Sequence, residues 1–148
     1  MFLTAEDVVS AIAINVRSNF STSEIKKIYK DLPQQNIQKP YAFIHQIQGS
    51  HQNELKNRAT WNYLLDVRVH PENTQTNIQT WARGIALKLL KALNVITISG
   101  MAVKGKSIEW KVEDGVLHFI VSYSFRVIDI REDIPDMQTL AYGERIKQ

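Results

Sequence analysis

Histidine is the side chain in this sequence best suited to metal binding or to acid–base catalysis near neutral pH. The four histidines are His45, His51, His70 and His118. No two of them have the four-residue spacing that places two ligands on one helix face, and none stands beside a paired acid in the sequence. His45 lies among apolar residues and is expected to be half-buried and hydrogen-bonded, whereas His118 is expected to be a plain surface residue. The spacing predicts no metal site.

Two further motifs carry groups that serve catalysis in other proteins, and both are better explained by turns. The segment from Gly100 to Ser107 contains a Gly-Lys-Ser string, as a phosphate-binding loop does. Such a loop opens a helix so that backbone amides face the phosphate, whereas this string opens a predicted strand. Glu113 and Asp114 form a close acid pair, but Gly115 follows them, and Asp-Gly is a hairpin turn signal. The sequence has no cysteine, which removes thiolate nucleophiles and cysteine-ligated metals. We expect no enzyme activity and no cofactor.

Two amphipathic helices are predicted from apolar residues that recur every three or four positions. The first covers roughly residues 5 to 19, and Thr4 with Asp7 resembles a capping box at its start. The second is capped by Asn73 or Thr74 and runs to about Leu93.

Alternation of apolar and polar residues predicts strands in the rest of the chain. The two clearest are at 60–69 and 117–127, with shorter ones at 25–29, 41–47, 95–98, 101–103 and 106–112. Residues 49–56 are expected to be a polar hairpin connection. The order predicts an α+β fold, an antiparallel β-sheet with two α-helices packed on one face and an extended C-terminal arm. Residues 1–130 are predicted to form a single domain and residues 131–148 the arm.

Length and composition place this domain among globular proteins. A chain of 148 residues with 44% apolar residues suits one core. No apolar run approaches the roughly 20 residues of a membrane-spanning helix. Glu6 and Asp7 stand where a signal peptide carries Lys or Arg. We expect no membrane contact and a protein that works in solution, in a cytoplasm or released from it.

Charge is unevenly distributed along the chain. The net charge of +3 is the remainder of two opposed blocks, a basic stretch at 83–111 whose single acid is Glu109 and an acidic stretch at 113–144. A basic stretch also suits nucleic acid, but aromatic stacking platforms must be exposed, and the aromatic residues here fall on stripes predicted to be buried. Those aromatic residues are Trp61, Trp81, Phe119, Tyr123 and Phe125. A small basic nucleic-acid-binding domain is kept as an alternative.

Several strings resemble those of small bacteriophage tail terminator proteins, also called tail completion proteins. The first half of the resemblance is carried by KPYAFI at 39–44, by ELKNR at 54–58 and by the strand from WNY at 61–63 to VHP at 69–71. The second half is carried by VEDGVLHF at 112–119 and the long strand that follows. The resemblance reaches about residue 130 and points to the terminators of phages and prophages of Gram-positive bacteria.

This resemblance implies a structural protein. Such proteins assemble as a ring, usually a hexamer, on the last ring of the tail tube, where they stop tube growth and offer the surface that joins the head. The implied partners are other copies of the chain, the tail tube protein and the head–tail connector proteins, with DNA only as cargo passing through the lumen. The implied location is the head-proximal end of the tail in the virion, after assembly in the host cytoplasm. Another head-to-tail joining protein or a tail tube protein is the alternative within phage biology.

A ring needs a heterologous interface, in which one surface of a subunit meets a different surface of the next. The two opposed charge blocks suit such an interface. We predict that the acidic arm of one subunit reaches a basic region of its neighbour. The residues concerned are Glu132, Asp133 and Asp136 on the acidic side and Arg83, Lys88, Lys104 and Lys106 on the basic side.

Overall fold

The first helix, α1 (Ala5–Asn19), begins where the capping box predicts. The structure is a computed structural model that describes residues 4–128. The Thr4 side chain accepts a hydrogen bond from the backbone N–H of Asp7, and the Asp7 carboxylate accepts one from the backbone N–H of Thr4 at 2.8 Å. These reciprocal bonds tie the N-cap to the first turn and fix the start of the helix. The predicted bounds of α1 are confirmed.

The second helix, α2 (Ile78–Leu93), ends as predicted but starts about one turn later than Asn73 or Thr74. A turn intervenes, closed by a 3.0 Å bond from the Gln75 N–H to the Glu72 carbonyl. Asn77 then occupies the N-cap at φ 53°, a left-handed conformation that Asn tolerates better than most residues.

Within residues 4–128, six strands form one sheet in the order β1-β2-β3-β6-β5-β4. Their bounds are β1 (Lys27–Tyr29), β2 (Tyr41–Glu54), β3 (Arg58–His70), β4 (Val95–Ile98), β5 (Met101–Glu113) and β6 (Val116–Ile128). The α+β class is confirmed. The prediction of a wholly antiparallel sheet is wrong at one edge, because β1 pairs with β2 in parallel while every other neighbouring pair is antiparallel. Residues 30–40 return the chain to the end of the sheet where β1 began, so β2 runs in the same direction.

Two strands are longer than the sequence pattern predicts. β2 continues to Glu54 through the segment expected to be a hairpin connection, and the turn is confined to residues 55–57, where Lys56 and Asn57 have φ values of 60° and 62°. β5 is one strand with a register shift between Gly105 and Ser107, not two strands. Ladder hydrogen bonds join backbone groups, so a polar segment or a bulged one extends a sheet without apolar alternation.

Strand β6 shows how the sheet divides into two faces. Every second residue from Leu117 to Val127 is buried and joins one core cluster with buried side chains of α1 and α2. We call the face that carries these buried residues the core face of the sheet and the opposite face the outer face. Phe119, Tyr123 and Phe125 are buried as predicted, whereas Trp61 and Trp81 are only half-buried at the margin of the cluster.

The two helices of residues 4–128 lack the length and apolar character needed to cross a membrane.

Candidate assembly surface

The sheet has an open stretch along each of its two edges. Within the described residues, β1 pairs only with Tyr41–Phe43 of β2, and β4 pairs only with Met101–Lys104 of β5. No strand within residues 4–128 pairs with the outward side of residues 46–54 or of residues 106–113. We call these stretches the β2 free edge and the β5 free edge. Most of their side chains are exposed. Unpaired strand edges are ready to add a further strand, because their backbone donors and acceptors lack partners in the ladder.

An aromatic pocket of about 470 Å³ opens on the core face beside the β2 free edge. It is lined by Thr4, Ala5, Gln46, Gly49, His51, Trp61 and Tyr63. The His51 ring is stacked on Trp61, with centroids 4.4 Å apart and planes at 17°, and its Nε2 lies 2.9 Å from the Tyr63 hydroxyl. These contacts fix the walls of the pocket.

Gly49 lets the Tyr63 ring pack closely against the backbone of β2 beside this pocket. A Cβ at position 49 would lie 3.1 Å from two ring carbons of Tyr63, which is closer than side chains normally approach. Burial raises the pKa of Tyr63, with a smaller contribution from the charge of Asp7, and the Tyr63 hydroxyl is within hydrogen-bond distance of His51. The pocket therefore presents ring faces and edges to an incoming group. Such a lining favours an aromatic or apolar side chain.

A second cluster lies on the outer face, where Asp66 is buried at 4% exposure. Its Oδ2 accepts a hydrogen bond from Arg68 Nε at 3.1 Å and lies 2.8 Å from His118 Nδ1. Its Oδ1 is buried without a hydrogen-bond partner among the described residues. The expectation that His118 is a plain surface residue is wrong, because pairing of β3 with β6 places it against Asp66. No group of three potential metal ligands occurs within residues 4–128.

His45 and His70 lie on the same outer face near the β1 end of the sheet. His45 is half-buried, as predicted, with its ring centroid 5.6 Å from that of Phe43. His70 is stacked on Tyr41 at 4.3 Å. Burial lowers the pKa of His70, assisted by the positive charge of Lys39, so the ring stays neutral at neutral pH. Both histidines serve packing here.

The structure separates the predicted basic interface residues. Arg83 and Lys88 are exposed on α2 but lie about 140° apart around the helix axis. Lys88 pairs with Glu24 of the same chain and lies 5.6 Å from the Phe20 ring centroid. Lys104 and Lys106 are exposed on either side of Gly105 in β5, and neither takes part in an ion pair within residues 4–128. Glu132, Asp133 and Asp136 lie outside the described residues, as does the predicted arm at 131–148.

Sequence reasoning missed the pocket and the exposed tryptophan of the other edge, Trp110. The alternation of β5 places Trp110 on the core face, opposite Phe119, yet it is 44% exposed. Its position between Glu109 and Lys111 predicts a strand with one solvated face and places Trp110 on the other face, so the sequence gives no signal of its exposure. The pocket gave no signal either, because its lining comes from α1, β2 and β3.

The fold is that of a small α+β protein. Its surface has open sheet edges and an aromatic pocket, which are features of a protein that binds other proteins. Comparison with known families identifies one family. A family model described as phage tail terminator protein matches residues 7–135. The chain belongs to the phage tail terminator family.

Phage tail terminators are structural and non-enzymatic, so the chain is a structural component of a virion tail. Membership also suggests contact with other tail and head proteins of the phage. No curated protein matches the sequence. Nineteen chains of solved structures match. One of them is 11% identical, with a TM-score of 0.40 over 89% of this chain and 100% of that chain.

Proposed function

We propose that the chain forms a hexameric ring that caps the tail tube, ends its polymerisation and provides the surface that joins the head. The observation that carries this proposal is the match to the tail terminator family over residues 7–135. The two free edges support it, since they offer two different surfaces of one subunit, and a heterologous contact between them generates a ring when the rotation closes.

The position and partners follow from that role. The ring sits at the head-proximal end of the tail, contacts the tail tube protein on one side and head–tail connector proteins on the other, and lets DNA pass through its lumen. Assembly takes place in the host cytoplasm. The strings at 39–44, 54–58 and 112–119 support a phage or prophage of a Gram-positive bacterium as the source.

Tube-length control tests this function. Tail tube protein is polymerised with and without the purified chain, and the products are imaged by electron microscopy. A terminator gives single rings alone and tubes closed by one ring when mixed, and it halts further growth. Long polymers of the chain alone would instead identify a tube protein, and uncapped tubes that keep growing would contradict the terminator role.

The predicted acidic arm is part of this proposal, with residues 1–130 as the domain and both helices covering one face of its sheet. Arg83, Lys104 and Lys106 are the better targets for the arm, because the Lys88 ammonium already pairs with Glu24.

Deletion of residues 131–148 is expected to weaken ring formation while leaving the fold intact, because it removes Glu132, Asp133 and Asp136. Native mass spectrometry measures the ring fraction, and circular dichroism checks the fold. A full-length chain with Glu132, Asp133 and Asp136 changed to Gln, Asn and Asn separates charge from length. Rings of undiminished stability in both variants would refute the arm contact.

A further inference from the structure

We propose that the β2 free edge of one copy pairs with the β5 free edge of the next, and that Trp110 enters the aromatic pocket of that neighbour. This inference rests on the proposed ring and specifies its interface. It commits both edges to a second copy of this chain.

Strand directions make the two edges compatible. β2 is antiparallel to β3, β3 to β6, and β6 to β5, so β2 and β5 run in opposite directions. Two copies set side by side in the same orientation therefore bring these strands together as an antiparallel pair. β1 ends its pairing at Phe43 and β4 at Lys104, so neither strand covers the stretch that the neighbour needs.

The alternation of side chains selects the register. Trp110 lies on the core face of β5, and Gly49 lies on the core face of β2 opposite Tyr63. With Gly49 directly opposite Trp110, the core faces of both copies lie on the same side and the free edges overlap over almost their whole length. A shift by one residue would turn one copy's core-face side chains toward the outer face.

The pocket and the tryptophan are complementary in shape and chemistry. Trp110 is 44% exposed on the same face as the pocket, which is bordered by Gly49 and walled by His51, Trp61 and Tyr63. A pocket of about 470 Å³ is within the size range that holds an aromatic group. Buried tryptophans are also the residues that most often dominate protein interfaces.

The offset between the edges suits a closed assembly. Measured along β6, the β2 free edge is level with Val121–Ile128 and the β5 free edge with Val116–Ser122. Gly49 is level with Tyr123 and Trp110 with Phe119, so in this register the two edges of a subunit are displaced by about four residues, or about 14 Å, along the strands. A sheet that closes on itself needs such a stagger, because its strands tilt relative to the axis of closure.

The outer face supplies polar pairs in the same register. Gln48 of one copy lies opposite Lys111 of the next, and Ser50 lies opposite Glu109. Within its own chain Gln48 faces Leu64 and Ser50 faces Asn62, so a charge introduced at either position meets no charged cross-strand partner in the monomer.

The first test removes the tryptophan. Trp110→Ala is expected to weaken association between subunits by about 100-fold or more, as loss of a central aromatic anchor does. Leu90→Ala is the control, because Leu90 is 41% exposed on α2 and belongs to neither free edge. Association is measured by native mass spectrometry over a dilution series, with circular dichroism and thermal unfolding to check that each variant folds.

The second test uses charged substitutions to check which residues of the two strands lie opposite each other. Gln48→Lys with Ser50→Glu sets like charges opposite Lys111 and Glu109, whereas Gln48→Glu with Ser50→Lys sets opposite charges there. The two variants have the same composition, and a difference of about tenfold or more in association is expected, with the first variant weaker. Equal association of the two would overturn the register.

The third test uses the absence of native cysteine. Ser50→Cys with Glu109→Cys is expected to form disulfides between copies under mild oxidation and to give a covalent ladder on a denaturing gel. Ser50→Cys with Glu113→Cys is the control, since it moves one thiol about 13 Å along the strand and should give little cross-linking.

The outcomes separate this inference from the proposed function. Wild-type rings with unchanged Trp110→Ala rings and no cysteine ladder would overturn the edge interface and leave the terminator role standing. Rings that survive Trp110→Ala but no longer bind tube protein would assign the edges to that partner and also overturn the inference. A wild type that caps tubes as a single copy, without self-association, would overturn both the ring and its interface.

Discussion

At the scale of single residues, the ion pair between Lys88 and Glu24 joins α2 to the loop after α1. The hydrogen bond from Lys88 is the main cause that lowers the pKa of Glu24 below its ordinary value, followed by the backbone bond from Ser21. A carboxyl group with a lowered pKa in the folded state stabilises the fold while it is ionised. That stabilisation is complete at a pH above the ordinary value of about 4.5 and is lost as the pH falls through the lowered value.

Glu24→Gln is therefore expected to make the free energy of unfolding less dependent on pH in the acid range. Between about pH 7 and about pH 3, the free energy of unfolding of wild type is expected to fall more steeply than that of the variant. Urea denaturation at several pH values measures both curves. Glu6→Gln is the control, because Glu6 is 71% exposed and its pair with Lys30 is more strongly screened. Parallel curves for wild type and Glu24→Gln would contradict the role of the pair.

The buried carboxylate of Asp66 marks the limit of residue-level prediction from sequence. Alternation correctly places Asp66 and Arg68 on the face opposite the core. His118, which is 52 positions away in the chain, is brought against Asp66 by pairing of β3 with β6. A periodic pattern gives the face of a side chain but not its neighbour across strands, so the cluster could not be predicted.

At the scale of elements, local signals predicted what local interactions determine. The capping box set the start of α1, and the Asp-Gly signal set the turn between β5 and β6, where Asp114 and Gly115 have φ values of 53° and 75°. The misjudged elements lack such local determinants. The outer half of β2 is held by its ladder to β3, and β1 is parallel because of the path of residues 30–40.

One substitution made at two glycines is expected to have opposite effects on stability. Gly84→Ala lies in the exposed interior of α2, where an added Cβ meets no atom within 4 Å, and should stabilise the fold by about 0.5–1 kcal/mol. Gly115→Ala forces alanine to a φ of 75° and should destabilise the fold by about 1–2 kcal/mol. Urea denaturation of both variants measures the difference. Changes of the same sign would show that the local backbone does not control stability at these sites.

At the scale of the whole molecule, the sequence predicted the class of protein better than its surface. The strings that resemble tail terminators implied a structural tail protein, and the family match bears this out. The predicted basic region, in contrast, is divided between two sides of α2 and the start of β5, with Lys88 already paired. The free edges and the pocket depend on strand order and on where short strands stop. Such features exist only once the chain is folded.

A heterologous interface uses two different edges of each subunit, so each edge can be disabled by its own variant. Trp110→Ala disables the β5 free edge but leaves the pocket and the β2 free edge intact. Gln48→Lys with Ser50→Glu disables the β2 free edge but leaves Trp110 intact. Each variant alone keeps one working surface and lacks its complement, so neither should form rings.

Mixing the two variants restores one interface between a subunit of each kind, and no further subunit can be added. The intact Trp110 of one variant docks in the intact pocket of the other, and the remaining two edges of the pair are both disabled. Native mass spectrometry of an equimolar mixture is therefore expected to show heterodimers in excess of either homodimer, and no rings. A third sample, the Trp110→Ala protein mixed with wild type, should give open chains ended by the variant, since only one of its edges is lost. Homodimers that dominate every sample would indicate an isologous contact and would refute assembly through two different edges.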